Sequence, residues 1–126
     1  MGVGDSPPYR EAAYVLREPL PPGDYGFVGD GIIAGGIAER ITVRLEARLR
    51  PQSVAATDDS RDLVLAGVEN EFLRDPNNRF GAVAFDTKVP SQSSGGVAGD
   101  RLVYRFTVLR GDPGASYILN GDGVTR

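Results

Sequence analysis

Arg44, Glu46, Arg48 and Arg50 stand at every second position of the run ITVRLEARLR. Side chains two apart on a strand share a face, so three guanidinium groups and a carboxylate line one side of a single element. Arginine's planar fork pairs bidentately with carboxylates, and a face of this kind can meet the acids of a second surface and set register and partner choice. The outward face of a one-sided sheet is also ordinarily charged, so the same run reads as a solvated strand face. The candidate subunit-interface residues are therefore Arg44, Glu46, Arg48 and Arg50, with Ser93, Ser94, Gly95 and Gly96 in a glycine-rich loop and Arg105 in a later strand.

Other chemistry is thinner. Lys88, the sole lysine, is the type of residue that forms Schiff bases, but it shares the polar side of a predicted strand with Asp86 and reads as solvated. Paired carboxylates do acid/base work in glycosidases, yet nothing in the spacing brings two acids into one cleft. Asp75 and Asn77 have the beginning of a calcium loop, and the spacing fails at Arg79, Phe80 and Gly81. Arg110-Gly111-Asp112 is an adhesion tripeptide that also suits the turn before Pro113-Gly114. The glycines match neither dinucleotide-binding nor P-loop spacing. The chain has no cysteine and no histidine, which removes thiolate chemistry, the commonest zinc ligand and every Ser-His or Cys-His arrangement. The expectation is a protein that is not an enzyme, with no catalytic residue, cofactor or metal.

A length of 126 residues, with 40% hydrophobic and 25% charged residues, fits one domain spanning 1–126. No apolar run approaches the roughly 18 residues of a membrane span, so no membrane partner is expected. The start MGVGDSPPYR has neither the basic nor the apolar part of a secretory signal, which points to a protein kept in the cytoplasm or carried within an assembly. A net charge of −3 argues against sequence-specific nucleic-acid binding. Of the fourteen basic residues all but Lys88 are arginine, the cation enriched in interfaces.

The elements that must position these residues follow from periodicity. Residues 1–10 read as an N-terminal arm without structure of its own, flexible or ordered on assembly. Glu11 to Leu20 alternates at Ala12, Tyr14 and Leu16 as a short strand does, while its first half suits a short helix equally; the strand is the reading taken, and Pro19, Pro21 and Pro22 then break the chain. Tyr25 to Ile33 has strand composition with a turn or bulge near 29–31, and Gly35-Gly36 forms a joint. In the organising strand, Ile41, Val43, Leu45, Ala47 and Leu49 form the apolar face. Thr57, Asp58, Asp59 and Ser60 supply cap residues for a helix from about Ser60 to Arg74, with Val64, Leu65, Val68 and Phe72 on one stripe and Asp75-Pro76-Asn77-Asn78 ending it. Strands follow at 80–89 and 101–110, separated by the long loop 90–100. A loop of that length exceeds the usual two to about five residues of a hairpin and suits binding. Both faces of Arg101 to Arg110 are partly apolar, as in a central or covered strand. Tyr117 to Leu119 adds a short strand before a last NGDG turn. The predicted class is α+β: an antiparallel sheet of about four to six strands with one principal helix packed on one face.

The order AERITVRLEARLR, TDDSRDLVLAGVENEFLRD, a strand, a long loop and DRLVYRFTVLR, covering about residues 38 to 110, resembles tail terminator proteins of long-tailed bacteriophages. The resemblance implies a non-enzymatic structural protein of the virion, made in the host cytoplasm. Such a protein forms a homo-oligomeric ring, six-fold in that family, at the head–tail junction, against tail-tube and head-connector proteins. The order is shared with ferredoxin-like domains, and residues 1–37 depart from the terminator pattern. Tube, head completion and capsid decoration proteins are neighbouring virion roles, and a small carboxylate-based enzyme or ligand-binding domain is the reading from another class.

Overall fold

The computed structural model describes residues 2–34, 39–74, 81–89 and 96–119. Seven strands make two antiparallel sheets: β1 (Tyr9–Val15), β2 (Gly23–Ala34), β3 (Arg40–Arg50), β4 (Leu63–Leu73), β5 (Gly81–Val89), β6 (Arg101–Gly111) and β7 (Ser116–Leu119). The first sheet has the order β1-β6-β3-β4 and the second β5-β2-β7. β5 lies beside β4, and β2 and β7 touch β3, so the second sheet meets the first along these strands.

The organising run is β3, and its alternation survives intact. Ile41, Val43, Leu45 and Ala47 are almost wholly enclosed and form the core with Phe72 of β4, Tyr104, Phe106 and Val108 of β6, and Ala115. The cross-strand pairs explain why: Leu45 stands between Val68 and Phe106, and Ala47 between Ala66 and Tyr104. β6 is the central strand that its two half-apolar faces suggest, paired with β1 on one side and β3 on the other.

The principal helix is corrected. Residues 63–73 are a strand, and no helix occurs among the described residues, so the class is all-β in place of α+β. From Ala66 onward β4 alternates: Ala66, Val68, Asn70 and Phe72 stand opposite Ala47, Leu45, Val43 and Ile41, while Glu69 and Glu71 lie on the other face. Gly67 and two valines lower the helix propensity of the same run. A β-bulge against Ala47/Arg48 leaves one extra residue, Leu65, and changes the phase of the alternation before it.

The expected turn near 29–31 is corrected too. β2 runs through Gly29, Asp30 and Gly31 as strand, paired with β5 on one edge up to Gly31 and with β7 on the other edge from Gly31 to Ala34. In the N-terminal arm, Val3 N–H donates to the Ala115 carbonyl at 2.9 Å, and Val3 packs on the core. The joint Gly35-Gly36, the sequence 75–80, most of the loop 90–100 and the last NGDG turn lie outside the described residues.

Candidate functional site: a buried ion-pair cluster

The polar face of β3 is covered by the chain's own connection, residues 51–62. That connection is held down at its start by Arg101, whose Nη2 donates to the carbonyls of Pro51 (3.1 Å) and Val54. Asp100 adds a second fastening: its Oδ1 accepts Gln52 N–H and its Oδ2 accepts Val97 N–H, each at 3.0 Å. Tight turns at Ala55–Asp58 and Asp59–Asp62 then carry two carboxylates back over the sheet.

Arg50 is the centre. It is 1% exposed, and its five N–H donors are all placed. Nε and Nη2 grip Asp62 at 2.8 Å each. Nη1 and Nη2 grip Glu11 at 3.0 Å each, and Nη1 also donates to the Ala56 carbonyl at 2.6 Å. Asp62, its side chain fully enclosed, takes a further bond from Arg48 Nε at 2.7 Å. Arg48 Nη1 turns to Glu46 at 3.2 Å. Arg105 of β6 bonds Glu11 through Nε at 2.8 Å and Asp59 through Nη2 at 2.7 Å. Its guanidinium lies over the Tyr9 ring, 4.0 Å from the centroid, in cation–π contact.

Three arginines thus meet four carboxylates. Burial alone would push the Glu11 carboxyl up, but hydrogen bonds and charge from Arg50 and Arg105 hold it below its ordinary value. The same opposition, with Arg50 and Arg48 as partners, leaves Asp62 lowered. Asp59 is lowered chiefly by its hydrogen bond from Arg105. Arg50 is raised, first by Asp62 and then by Glu11. The cluster is a fixed charge lattice, and Glu11, Asp59 and Asp62, all held below their ordinary values, are not poised to exchange a proton near neutrality.

A pH dependence follows. Glu11 and Asp62 have folded values below their unfolded ones, so between the two values the unfolded chain binds more protons. Their stabilisation is complete above the ordinary carboxylate value of about 4 and is lost as pH falls through the depressed folded values. Urea midpoints are expected to be flat from pH 5 to 7 on this account and to drop below about pH 4; a midpoint that rises on acidification would contradict the lattice.

Of the residues singled out from the sequence, Glu46, Arg48, Arg50 and Arg105 come together here. Arg44 does not: it lies farther along the same face, 45% exposed, paired with Glu69 at 2.6 Å. Gly96 is buried in the turn before β6 at φ 87°, where an added Cβ would press on the Asp100 carboxylate and the Leu49 and Leu16 side chains. Ser93, Ser94 and Gly95 lie outside the described residues, as do Asp75 and Asn77. Lys88 stands in β5 opposite Asp24 of β2. Asp112 of the adhesion tripeptide is engaged within the chain, its Oδ2 accepting the N–H groups of Glu39 (2.9 Å) and Arg40 (3.2 Å). Gly111 is needed because a Cβ there would lie 2.9 Å from the Arg40 carbonyl.

Sequence reasoning missed Tyr9, Glu11, Asp59 and Asp62. Asp58 and Asp59 read as helix caps and Asp62 as the outer side of that helix, although an acidic cluster following so soon after an arginine-rich strand was itself a signal. Asp58 does act locally, accepting Ser60 N–H at 3.0 Å in a turn. Compared with known protein families, curated proteins and solved structures, the chain matches none.

Proposed function

We propose that the chain is a non-enzymatic structural subunit of a phage particle, acting at the neck or tail end by association with copies of itself and with neighbouring structural proteins. The observation that carries this reading is the use of the strongest charges as a brace. The pair of Arg50 with Asp62 locks the 51–62 connection onto the sheet, and their arginine partners hold the Glu11 and Asp62 carboxyls below their ordinary values, away from proton exchange near neutrality. A braced sheet offers neighbours a rigid surface, so little ordering free energy is lost on assembly. Exposed apolar side chains at the edge strands, Val15 of β1 and Leu63, Val64 and Leu73 of β4, support association.

The resemblance to tail terminators supports the virion setting through its charged alternating strand, long loop and closing strand. With β4 in place of the helix, the resemblance loses its helical element, and the neighbouring roles of tube, head completion or decoration protein stand beside the terminator in this proposal.

Light scattering at several concentrations, with negative-stain images of the eluted species, tests the reading. Oligomers or rings that grow with concentration are expected. A strict monomer over the whole range by both methods overturns self-association, and a gene neighbourhood without other particle genes overturns the virion setting.

A further inference from the structure

The four-stranded sheet ends on β1, and the direction of its main-chain groups can be read from its two ends. Leu16 N–H donates to the Asp100 carbonyl at 2.7 Å, the Leu16 carbonyl accepts Gly99 N–H at 2.9 Å, and the Pro8 carbonyl accepts Val108 N–H at 2.8 Å. Along an antiparallel strand these groups alternate sides, so Arg10, Ala12 and Tyr14 address β6 while Tyr9, Glu11, Ala13 and Val15 address the open edge. Glu11 bears this out. It is an exposed residue although its side chain is only 19% exposed, which puts its accessible surface on the main chain.

Sheet edges are commonly guarded by lysine, proline or a bulge. β1 has no lysine, proline or bulge: its register with β6 is unbroken from Tyr9 to Val15, and the prolines stand outside it. Arg10 reaches over this edge, its Nη1 donating to the Tyr9 carbonyl at 3.0 Å, and pairing requires that guanidinium to leave the carbonyl. The opposite edge, β4, is bulged and has β5 alongside. Tyr14 and Val15, 41% and 69% exposed, stand on this edge, which has no strand beside it among the described residues.

We propose that β1 pairs antiparallel with β1 of a second copy across a two-fold axis at Ala12, joining two four-stranded sheets into one continuous sheet. Charge excludes two of the neighbouring registers, and Ala12 is preferred to Ala13 because only it sets Arg10 opposite Tyr14. An axis at Arg10 or Glu11 sets like charges directly opposite each other, which is unfavourable. With the axis at Ala12, Arg10 faces the second copy's Tyr14 as a cation facing a ring, Tyr9 faces Val15, and Glu11, already neutralised by Arg50 and Arg105, faces Ala13. The facing pairs Tyr9 with Val15 and Glu11 with Ala13 use the outward main-chain groups and exchange both hydrogen bonds. The smallest side chain lies at the axis, where the strands approach most closely. An isologous contact closes at a dimer, which becomes the building unit of a larger assembly. This pairing rests on the self-association proposed above and gives it a surface.

Because the chain has no cysteine, Ala12→Cys makes a specific probe. A non-hydrogen-bonded pair sets the two Cα atoms about 4.5 Å apart, within disulfide reach. Under mild oxidation Ala12→Cys is expected to run as a crosslinked dimer that reductant reverses, while Ala55→Cys on the exposed 51–62 connection stays mainly monomeric. Ala13→Pro removes an outward N–H without touching β6 and is expected to weaken self-association about tenfold or more, with the far-ultraviolet spectrum unchanged. Self-association that persists in Ala13→Pro, with no crosslink from Ala12→Cys, overturns the edge pairing and leaves the assembly reading standing. A strict monomer in the unaltered chain overturns both.

Discussion

Replacing Arg50 by methionine is expected to destabilise the protein by about 3–5 kcal/mol, measured as a fall in the urea midpoint at neutral pH. Methionine fills much of the same volume, so the loss is electrostatic. Asp62 is fully enclosed and would keep only Arg48, and the grip on Glu11 would fall to Arg105 alone. A carboxylate left in the interior without its partner is far costlier than the pair was stabilising. The double variant Arg50→Met with Asp62→Leu is therefore expected to regain much of the loss, since apolar replacement of a buried pair is often neutral or better. A single variant costing under about 1 kcal/mol would mean that water reaches the cluster and screens it.

Phe72→Ala and its neighbour Leu73→Ala are expected to differ sharply. Phe72 is 6% exposed and stands opposite Ile41 in the core, so truncation should cost about 3–5 kcal/mol. Leu73 is 63% exposed, and its truncation should stay within about 0.5 kcal/mol. Val64, 48% exposed, belongs with Leu73. The contrast discriminates between elements, because a helix would put Val64 on the core stripe with Phe72. Comparable losses from Val64→Ala and Phe72→Ala would restore the helix and sink the strand.

The bulge explains why this element was illegible. Its extra residue, Leu65, sets Val64 and Leu65 side by side before Val68 and Phe72, and that spacing imitates a helical stripe. Asn70, on the core side opposite Val43, removes the one apolar residue that would have shown period two. Where the element's own sequence carries no extra residue, as in β3 from Val43 to Leu49, alternation read directly as strand, whereas the short run Tyr9–Val15 read partly as arm and equally as a helical turn. The candidate site was half legible for a related reason. Arg48, Arg50 and Arg105 declare themselves by strand periodicity, whereas their acids come from a turn and an edge strand, and only the tertiary pairing of β1 with β6 brings Glu11 to them. A charged strand face was expected to meet solvent or another subunit; over its Glu46–Arg50 half the molecule meets itself.

The bond between Glu11 and Arg105 spans 94 residues of chain. Closure of so long a loop is entropically costly and contributes a high contact order, which slows folding. During synthesis β1 emerges before β2 to β5, and β6, its partner among the described strands, only after them. While those four strands are made, a regular strand waits with both edges open. The same seven residues that close the finished sheet are the segment most exposed to premature pairing between nascent chains.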